Sequence, residues 1–326
     1  MKVIKYIGIV FLTVIVFYLL GPKMPEPLLN QNLPRVDGNV SRFVDSIESI
    51  SPVRPGNEAR IVWADSSKNR TEYVLLYLHG FSASWYEGFP VNSDFCHRYH
   101  CNAYFSRLAS HGLITDNPLL DMTPGRLYES AKQALVIAHK LGDKVVIMGT
   151  STGGTLALML AADFPDMVNG LILYSPNVRI KQEASLLLSR PWGLQIARLN
   201  FGGDFRTVRD REDICKYWYC RYRAEAAVYL QQLLDQKMNA RLFHEVKCPV
   251  FLGYYYRDKE HQDQTVSVSA ALKMFDQLGT SPSNKEKKSF PNAGAHVIGC
   301  SLTSHSVDEV EKATWAFTEN ILQLKQ

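Results

Sequence analysis

The chain has 326 residues, of which 46% are hydrophobic and 21% are charged, and its formal net charge is +4. This balance excludes an intrinsically disordered chain, and a chain of this length can bury a large core without metal or disulfide support. Because the small positive charge is dispersed along the sequence, no nucleic-acid partner is expected.

The first predicted element is an apolar helix at the N-terminus. Lys2 and Lys5 precede an uncharged run, Tyr6 to Leu20, whose length as a helix approaches the hydrocarbon thickness of a bilayer, about 30 Å. Residues 1–22 therefore predict either an uncleaved transmembrane anchor or a cleaved signal segment. The bulky Tyr18-Leu19-Leu20 fits the small-residue pattern of a signal cleavage site poorly. Because the positive charges precede the run, the rest of the chain is expected on the extracytoplasmic side of a membrane.

A polar, proline-rich stretch follows the apolar run. Residues 23–58 are interpreted as a linker, with a short helix around Ser41–Ile50. From about residue 59 to the C-terminus, strand and helix patterns alternate, so residues 59–326 are assigned to one α/β domain.

The alternating patterns predict an α/β fold with a mostly parallel central sheet and flanking helices. Thr123 is expected to cap a helix that starts at Pro124 and ends at Gly142. The last helix is expected to begin at Ser306 and to run to about Leu324, with Glu309 completing a capping box. The predicted strands are Arg60–Trp63, Tyr73–Leu78, Asn102–Leu108, Lys144–Met148, Gly170–Tyr174, Pro249–Tyr255 and a weaker one near Lys287–Phe290.

One long segment interrupts the alternation. Residues from about 178 to 247 show no convincing strand and are rich in Leu, Tyr, Trp, Arg and Gln, a composition that favours helix. So long an insertion is usually functional, and the segment is interpreted as a mostly helical lid over the carboxyl ends of the strands.

The strongest motif lies where a predicted strand ends. The apolar run 145–148 leads into Gly149-Thr150-Ser151-Thr152-Gly153, and a helical pattern follows directly. In this context Gly-x-Ser-x-Gly predicts a nucleophile elbow, where small residues let the chain turn sharply and present the hydroxyl above the sheet. Ser151 is therefore the predicted nucleophile.

Three segments carry a resemblance to a known family. His79-Gly80-Phe81 resembles an oxyanion loop, Arg107–Gly112 resembles a loop that ends in Gly-His-Gly, and Leu171–Pro176 resembles the strand that precedes a lid. From Arg60 onward the chain is similar to the carboxylesterase and monoacylglycerol-lipase branch of the α/β-hydrolase superfamily. The resemblance implies the α/β-hydrolase fold and a triad in the order Ser, acid, His. It also implies an oxyanion hole made by the backbone N–H groups of Phe81 and Thr152.

The triad acid should follow the strand after the lid. The loop after Pro249–Tyr255 contains Asp258, Glu260 and Asp263. Asp263 has Val266 three residues later, which resembles the family's acid position, so Asp263 is preferred. Asp258 remains the alternative, and Glu260 is the weakest candidate.

The general base should lie between the last strand and the last helix. His296, in the small-residue loop Asn292–Val297, fits this place and is the predicted base. His305 is the alternative, although its position near a helix cap indicates a surface residue. His79 and His111 are interpreted as histidines that hydrogen-bond locally and shape their loops.

The six cysteines include two pairs that are close in sequence. Cys96 and Cys101 form one pair, and Cys215 and Cys220 form the other. An oxidising compartment would permit a local disulfide in each pair. The spacing of the Cys and His residues from 96 to 101 matches no common zinc pattern, and neither a metal nor another cofactor is expected.

These observations predict a serine hydrolase that cleaves carboxylic esters, of acyl or acylglycerol type, through an acyl-enzyme. The expected partners are a small-molecule or lipid ester and, through the N-terminal segment, a membrane. A peptidase, an amidase or an acyltransferase would use the same triad. A catalytically silent binding module on the same fold is the alternative from another class.

Overall fold

Residues 2–208 and 211–325 are described by the computed structural model, and a seven-stranded sheet lies at the centre of this part of the chain. The strands of the whole fold are β1 (Arg60–Val62), β2 (Thr71–Leu78), β3 (Asn102–Phe105), β4 (Gly142–Thr150), β5 (Gly170–Tyr174), β6 (Phe205–Thr207), β7 (Arg221–Arg223), β8 (Val250–Tyr254) and β9 (Lys285–Ser289). The large sheet has the order β1-β3-β2-β4-β5-β8-β9. β1 is antiparallel to β3, and every other neighbouring pair in this sheet is parallel, which confirms the predicted fold class.

Helices cover both faces of this sheet and build the segment between β5 and β8. They are α1 (Lys2–Leu19), α2 (Val40–Glu48), α3 (Val91–Arg98), α4 (Pro124–Leu141), α5 (Thr152–Asp163), α6 (Gly193–Phe201), α7 (Glu212–Cys215), α8 (Ala224–Lys237), α9 (Ala240–Glu245), α10 (Val268–Gln277) and α11 (Val307–Asn320). Short 3-10 helices are formed by Trp85–Gly88, Pro165–Met167, Glu183–Leu187 and Pro282–Asn284.

Two apolar cores lie on opposite faces of the sheet. Leu76 and Leu78 of β2 pack into one core with α4 and α5, whereas Leu75 and Tyr77 pack into the other with α3 and α11. All four side chains are fully buried, as the unbroken apolar run of the strand predicts for a sheet that is covered on both sides. Replacing Leu75 or Leu76 by Ala would cost about 2–5 kcal/mol of folding free energy.

Of the two helix caps predicted from the sequence, the one at Thr123 is present and the one at Ser306 is not. Thr123 Oγ1 accepts the Arg126 N–H at 3.3 Å, and α4 begins at Pro124, as predicted. At α11 the predicted capping box is wrong, because the Ser306 side chain makes no capping hydrogen bond. The Glu309 carboxylate instead accepts a hydrogen bond from Asn292 Nδ2 at 3.3 Å, and the helix ends at Asn320 rather than near 324.

The apolar N-terminal run forms helix α1, and the side chains described from Tyr6 onward are largely exposed. Among the helices of residues 2–208 and 211–325, none combines the length and the apolar character that a membrane span requires. The predicted transmembrane helix is therefore not supported. The end of α1 contacts the segment between β5 and β8: the rings of Phe17 and Trp192 stack at 4.9 Å.

The stretch interpreted as a linker packs along the rest of the fold. Trp192 N donates to Pro22 O at 2.8 Å, and Gln232 Nε2 donates to Pro25 O at 3.0 Å. Val36 is buried in the core on the α4 side of the sheet. Residues 22–36 thus form a strap, fastened by backbone carbonyls, across the segment between β5 and β8.

The two cysteine pairs also differ. Cys215 and Cys220 form a disulfide, as expected from their spacing. The expectation for the other pair is wrong, because Cys96 and Cys101 are free thiols. Cys96 is buried in α3, and its thiol donates to Asn92 O at 3.2 Å. Burial raises the pKa of the Cys96 thiol well above its ordinary value, which keeps it protonated.

Candidate active site

Ser151 lies at a sharp turn between β4 and α5. Its φ of 53° and ψ of −116° belong to a region that side-chain-bearing residues rarely adopt, which costs on the order of 1–3 kcal/mol. The turn is held by the Ser151 amide, which donates to Tyr174 O at 2.9 Å, and by Asn177 N, which donates to Ser151 O at 2.9 Å. A Cβ on Gly153 would lie 1.9 Å from Leu78 O, so this close approach requires glycine.

The loop after β9 brings His296 to the same place. Ser151 and His296 both line a cavity of about 410 Å³. The loop reaches this position through Gly294, whose φ of +66° favours glycine. The His296 side chain is only 12% exposed, so its ring lies largely away from solvent.

The loop after β8 supplies the carboxylate that contacts His296. His296 Nδ1 donates to Asp263 Oδ2 at 2.6 Å, and Asp263 is 1% exposed. The other carboxylate oxygen, Oδ1, accepts the backbone N–H groups of Thr265 at 2.8 Å and Val266 at 3.0 Å. Burial alone would raise the pKa of Asp263, but His296 and these two amides outweigh it and hold the pKa below its ordinary value. Asp263 is therefore an ionised acceptor at neutral pH.

The alternative acid and base candidates lie elsewhere. Asp258 is half-exposed and bonds within its own loop, where its carboxylate contacts His261 Nδ1 at 2.9 Å. Glu260 and His305 are exposed at the surface. The structure thus brings His296 together with Asp263 and not with Asp258.

The two residues predicted to form an oxyanion hole lie next to Ser151. Thr152 is the first residue of α5, and Phe81 lies in the loop after β2, against which the start of α5 packs through Gly153. Within residues 2–208 and 211–325, neither the Phe81 amide nor the Thr152 amide donates a hydrogen bond to another protein group. Both amides are available to an oxygen atom of a bound substrate.

Two buried histidines support this loop, as the sequence indicated. His79 Nδ1 donates to Gly80 O at 2.9 Å, and its Nε2 accepts the Leu108 N–H at 3.1 Å. His111 Nε2 accepts the Ser82 N–H at 3.1 Å. Burial lowers the pKa of His111 to about 4 and that of His79 well below its ordinary value. Both rings are therefore neutral at pH 7, in the tautomers that these bonds require.

The segment between β5 and β8, called the lid segment below, supplies much of the wall of the cavity that Ser151 lines. It is mostly helical, but it also contains the ribbon β6–β7, which the sequence did not predict. Its strands are three residues each and carry arginines, so they lack the apolar alternation that indicates a strand. The buried aromatic rings of Trp218 and Tyr222 and the side chains of Leu188, Ile196 and Leu230 line the cavity.

Sequence reasoning missed two contacts of the oxyanion loop. Tyr219, inside the disulfide-closed turn of the lid segment, donates its backbone N–H to Ser82 O at 2.7 Å. Glu87 is 2% exposed, lines the cavity, and accepts the backbone N–H of Gly80. The sequence feature that could have indicated Glu87 is its place as the one acidic residue in an aromatic run, Trp85-Tyr86-Glu87-Gly88-Phe89. Such a run is expected to be buried, and a buried carboxyl group needs a specific hydrogen-bond partner. In the described part of the chain, no group of three or more His, Cys, Asp or Glu residues is arranged to hold a metal ion.

Comparison with family models decides the family. The model of the alpha/beta hydrolase family matches residues 75–313, which include the elbow, the loop after β8 and the loop after β9. The chain belongs to the alpha/beta hydrolase family. This match confirms the resemblance to the α/β-hydrolase superfamily that the sequence motifs indicated. No curated protein matches the chain.

Solved structures of other alpha/beta hydrolases share the fold at low sequence identity. A structure of the metagenome-derived lipolytic enzymes LipS and LipT has a TM-score of 0.65 and 19% identity, covering 81% of this chain and 98% of that one. A monoacylglycerol lipase from Paleococcus ferrophilus has a TM-score of 0.57 and 13% identity, with coverage of 80% and 99%. Est1E from Butyrivibrio proteoclasticus, bound to ferulic acid, has a TM-score of 0.54 and 15% identity, with coverage of 82% and 95%. Because these sequence identities are below 20%, the structural similarity shows a shared fold and not a shared activity.

Proposed function

We propose that this alpha/beta hydrolase is a serine esterase that cleaves carboxylic esters with apolar acyl groups through an acyl-enzyme. One observation carries the proposal: Ser151 lines the same cavity as His296, whose Nδ1 donates to the buried, ionised Asp263 at 2.6 Å. A nucleophile, a base and a group that orients the base are the three parts that covalent acyl transfer requires. The lipolytic enzymes and the lipase among the solved structures support the ester class.

The proposed reaction has two steps. Ser151 Oγ attacks the acyl carbon while His296 Nε2 takes the serine proton, and the resulting imidazolium gives this proton to the departing alcohol. Water then attacks the acyl-enzyme with His296 again as the base, and the acid leaves as Ser151 regains its proton. Asp263 holds Nδ1 as the protonated nitrogen in both steps. The amides of Phe81 and Thr152 donate to the oxyanion that forms each time.

The test compares the wild type with Ser151→Ala on p-nitrophenyl esters from acetate to dodecanoate and on an acyl anilide. The wild type should hydrolyse the esters, and Ser151→Ala should lose about 10³-fold or more of kcat with an unchanged fold. Ser301→Ala, on an exposed serine, is the control and should keep full activity. Retained ester hydrolysis by Ser151→Ala would overturn the proposal, and turnover of the anilide alone would replace the esterase by an amidase.

The acyl group is proposed to lie under the lid segment. Tyr222 is buried, lines the cavity, and packs edge-to-face on Phe81 at 4.9 Å. Tyr222→Ala should therefore enlarge the acyl site and raise the ratio of kcat/KM for long over short esters. Phe205→Ala, which changes a lid aromatic that does not line the cavity, is the matched control. An identical ratio in the wild type and both variants would contradict this placement.

We further propose that the enzyme works in an oxidising, extracytoplasmic compartment. The disulfide between Cys215 and Cys220 supports this location, because disulfides persist in such compartments and are rare in a reducing cytosol. Alkylation of thiols in intact cells, followed by mass spectrometry, should find this pair oxidised. A fully reduced pair in freshly trapped cells would overturn the assignment.

A further inference from the structure

Glu87 is a buried carboxylate that the proposed reaction does not use. It lies in the 3-10 helix Trp85–Gly88, is 2% exposed, and lines the cavity that contains Ser151. Its neighbours along the chain are mostly aromatic, so few polar side chains are close in sequence to stabilise a carboxylate. A buried carboxyl group is costly unless it is hydrogen-bonded, so a hydrogen bond that it makes to the loop beside Ser151 bears on its role.

One hydrogen-bond partner of Glu87 is the backbone of the oxyanion loop. Glu87 Oε2 accepts the N–H of Gly80, the residue directly before Phe81. A Cβ on Gly80 would lie 2.9 Å from Glu87 Oε1 and 3.0 Å from the Cβ of Ser151. The Glu87 carboxyl group and Ser151 therefore flank the same backbone position, where an added Cβ would force one of them to shift.

Two further backbone groups beside Phe81, Gly80 O and Ser82 N, are also hydrogen-bonded. Gly80 O accepts hydrogen bonds from His79 Nδ1 at 2.9 Å and from Ala83 N at 3.3 Å. On the other side, Ser82 N donates to His111 Nε2 at 3.1 Å. Because a trans peptide places its N–H opposite its C=O, fixing Gly80 O also fixes the direction of the Phe81 N–H. The bond from Gly80 N to the Glu87 carboxyl group completes this set, and it holds the position of Gly80 itself.

We propose that Glu87 is a positioning residue that aims the Phe81 amide at the oxyanion, an inference that rests on the proposed esterase function. The hydrogen bond to Gly80 holds the loop in the geometry needed in the transition state, so no loop reorganisation is required when the oxyanion forms. A negative charge close to a forming oxyanion opposes that oxyanion. The benefit therefore comes from the acceptor oxygen of Glu87 and not from its charge.

Two substitutions of similar size separate the acceptor from the charge. Glu87→Gln keeps an oxygen that can accept the Gly80 N–H and removes the charge, whereas Glu87→Met removes both. Glu87→Met should lose about 100-fold in kcat on p-nitrophenyl butyrate with KM changed less than about threefold, the size of effect expected for a misplaced oxyanion donor. Glu87→Gln should lose less than about fivefold in kcat.

A transition-state analogue and a control variant distinguish positioning from general destabilisation. An alkyl boronic acid forms a tetrahedral adduct on the serine, so its inhibition constant should rise with Glu87→Met by about the factor lost in kcat/KM. Glu225→Met removes another buried carboxylate, which pairs with Arg223 at 2.8 Å in the lid segment. This control should lower the melting temperature and leave kcat and the inhibition constant unchanged.

The kcat values of the Glu87 variants decide whether Glu87 positions the oxyanion loop. A kcat for Glu87→Met within threefold of the wild type, or an equal loss in Glu87→Gln and Glu87→Met, would overturn the role of the acceptor. If Glu87→Met does not fold, Glu87→Asp takes its place, because its shorter side chain withdraws the oxygen from Gly80, and full activity of that variant would overturn the proposal. Failure of the esterase function itself would appear separately, as activity that survives Ser151→Ala.

Discussion

The hydrogen bonds of Asp263 make Asp263→Asn a specific test of its partnership with His296. In the wild type, Oδ1 accepts two backbone N–H groups, at 2.8 Å and 3.0 Å, and Oδ2 faces His296 Nδ1 at 2.6 Å. An asparagine must keep its oxygen at the two amides, because an NH2 group there would face two donors. Its NH2 group must then point at His296 Nδ1, which becomes the acceptor nitrogen.

This rearrangement places the histidine proton on Nε2, the nitrogen that should receive the serine proton. The variant should fold normally and lose about 10⁴-fold in kcat, equivalent to about 5.4 kcal/mol of transition-state stabilisation. Asp258→Asn is the matched control, because Asp258 is half-exposed, bonds within its own loop, and keeps an acceptor oxygen as asparagine. Its effect on the free energy of unfolding should be less than about 0.5 kcal/mol.

The assay is steady-state hydrolysis of p-nitrophenyl butyrate by the wild type and both variants, with melting temperatures recorded for each. The account requires a large loss of kcat in Asp263→Asn, a similar melting temperature, and nearly full activity in Asp258→Asn. A crippled Asp258→Asn, or an Asp263→Asn that retains more than about a tenth of the wild-type kcat, would refute the assignment.

Three further predictions concern stability. The pKa of His111 is about 4 in the folded chain and about 6.5 when unfolded, so the unfolded state binds more protons and His111 alone should lower the free energy of unfolding by about 1.3 kcal/mol from pH 7.5 to 5.5, with His79 adding to this loss. Urea titrations should show this loss reduced in His111→Asn, and an identical slope in the variant would contradict it. Replacing Cys215 and Cys220 by Ala should lower the free energy of unfolding by about 2 kcal/mol, and an unchanged melting temperature would show that the bridge does not stabilise the fold. A chain that starts at Gly21 keeps the strap across the lid segment, so it should melt at a higher temperature than a chain that starts at Val40; equal melting temperatures would contradict a stabilising strap.

The features that could be predicted from the sequence are those set by local pattern. Continuous apolar runs indicated the strands because a strand buried on both faces needs apolar side chains on both. The turn at Ser151 was visible because its strained backbone and the close approach of Leu78 O demand small residues at fixed spacing. Asp263 and His296 followed from the order of the family, and the structure brings them together across 33 positions of the chain.

The features that could not be predicted depend on contacts between distant segments. β6 and β7 are short, arginine-bearing strands, and their pairing leaves no apolar alternation in the sequence. The strap of residues 22–36 is held by backbone carbonyls, which every sequence has, so its composition indicated only a linker. At Ser306 the motif was present, but Glu309 bonds to Asn292 from another segment instead.

The central claim is that Ser151 is the nucleophile of this cavity. The most direct measurement is to inactivate the wild type with a fluorophosphonate, digest it, and locate the adduct by mass spectrometry. The account predicts a single phosphonylated site at Ser151, formed in step with the loss of esterase activity and absent from Ser151→Ala. An adduct on any other residue that tracks the loss of activity, or full activity in protein labelled at Ser151, would contradict it.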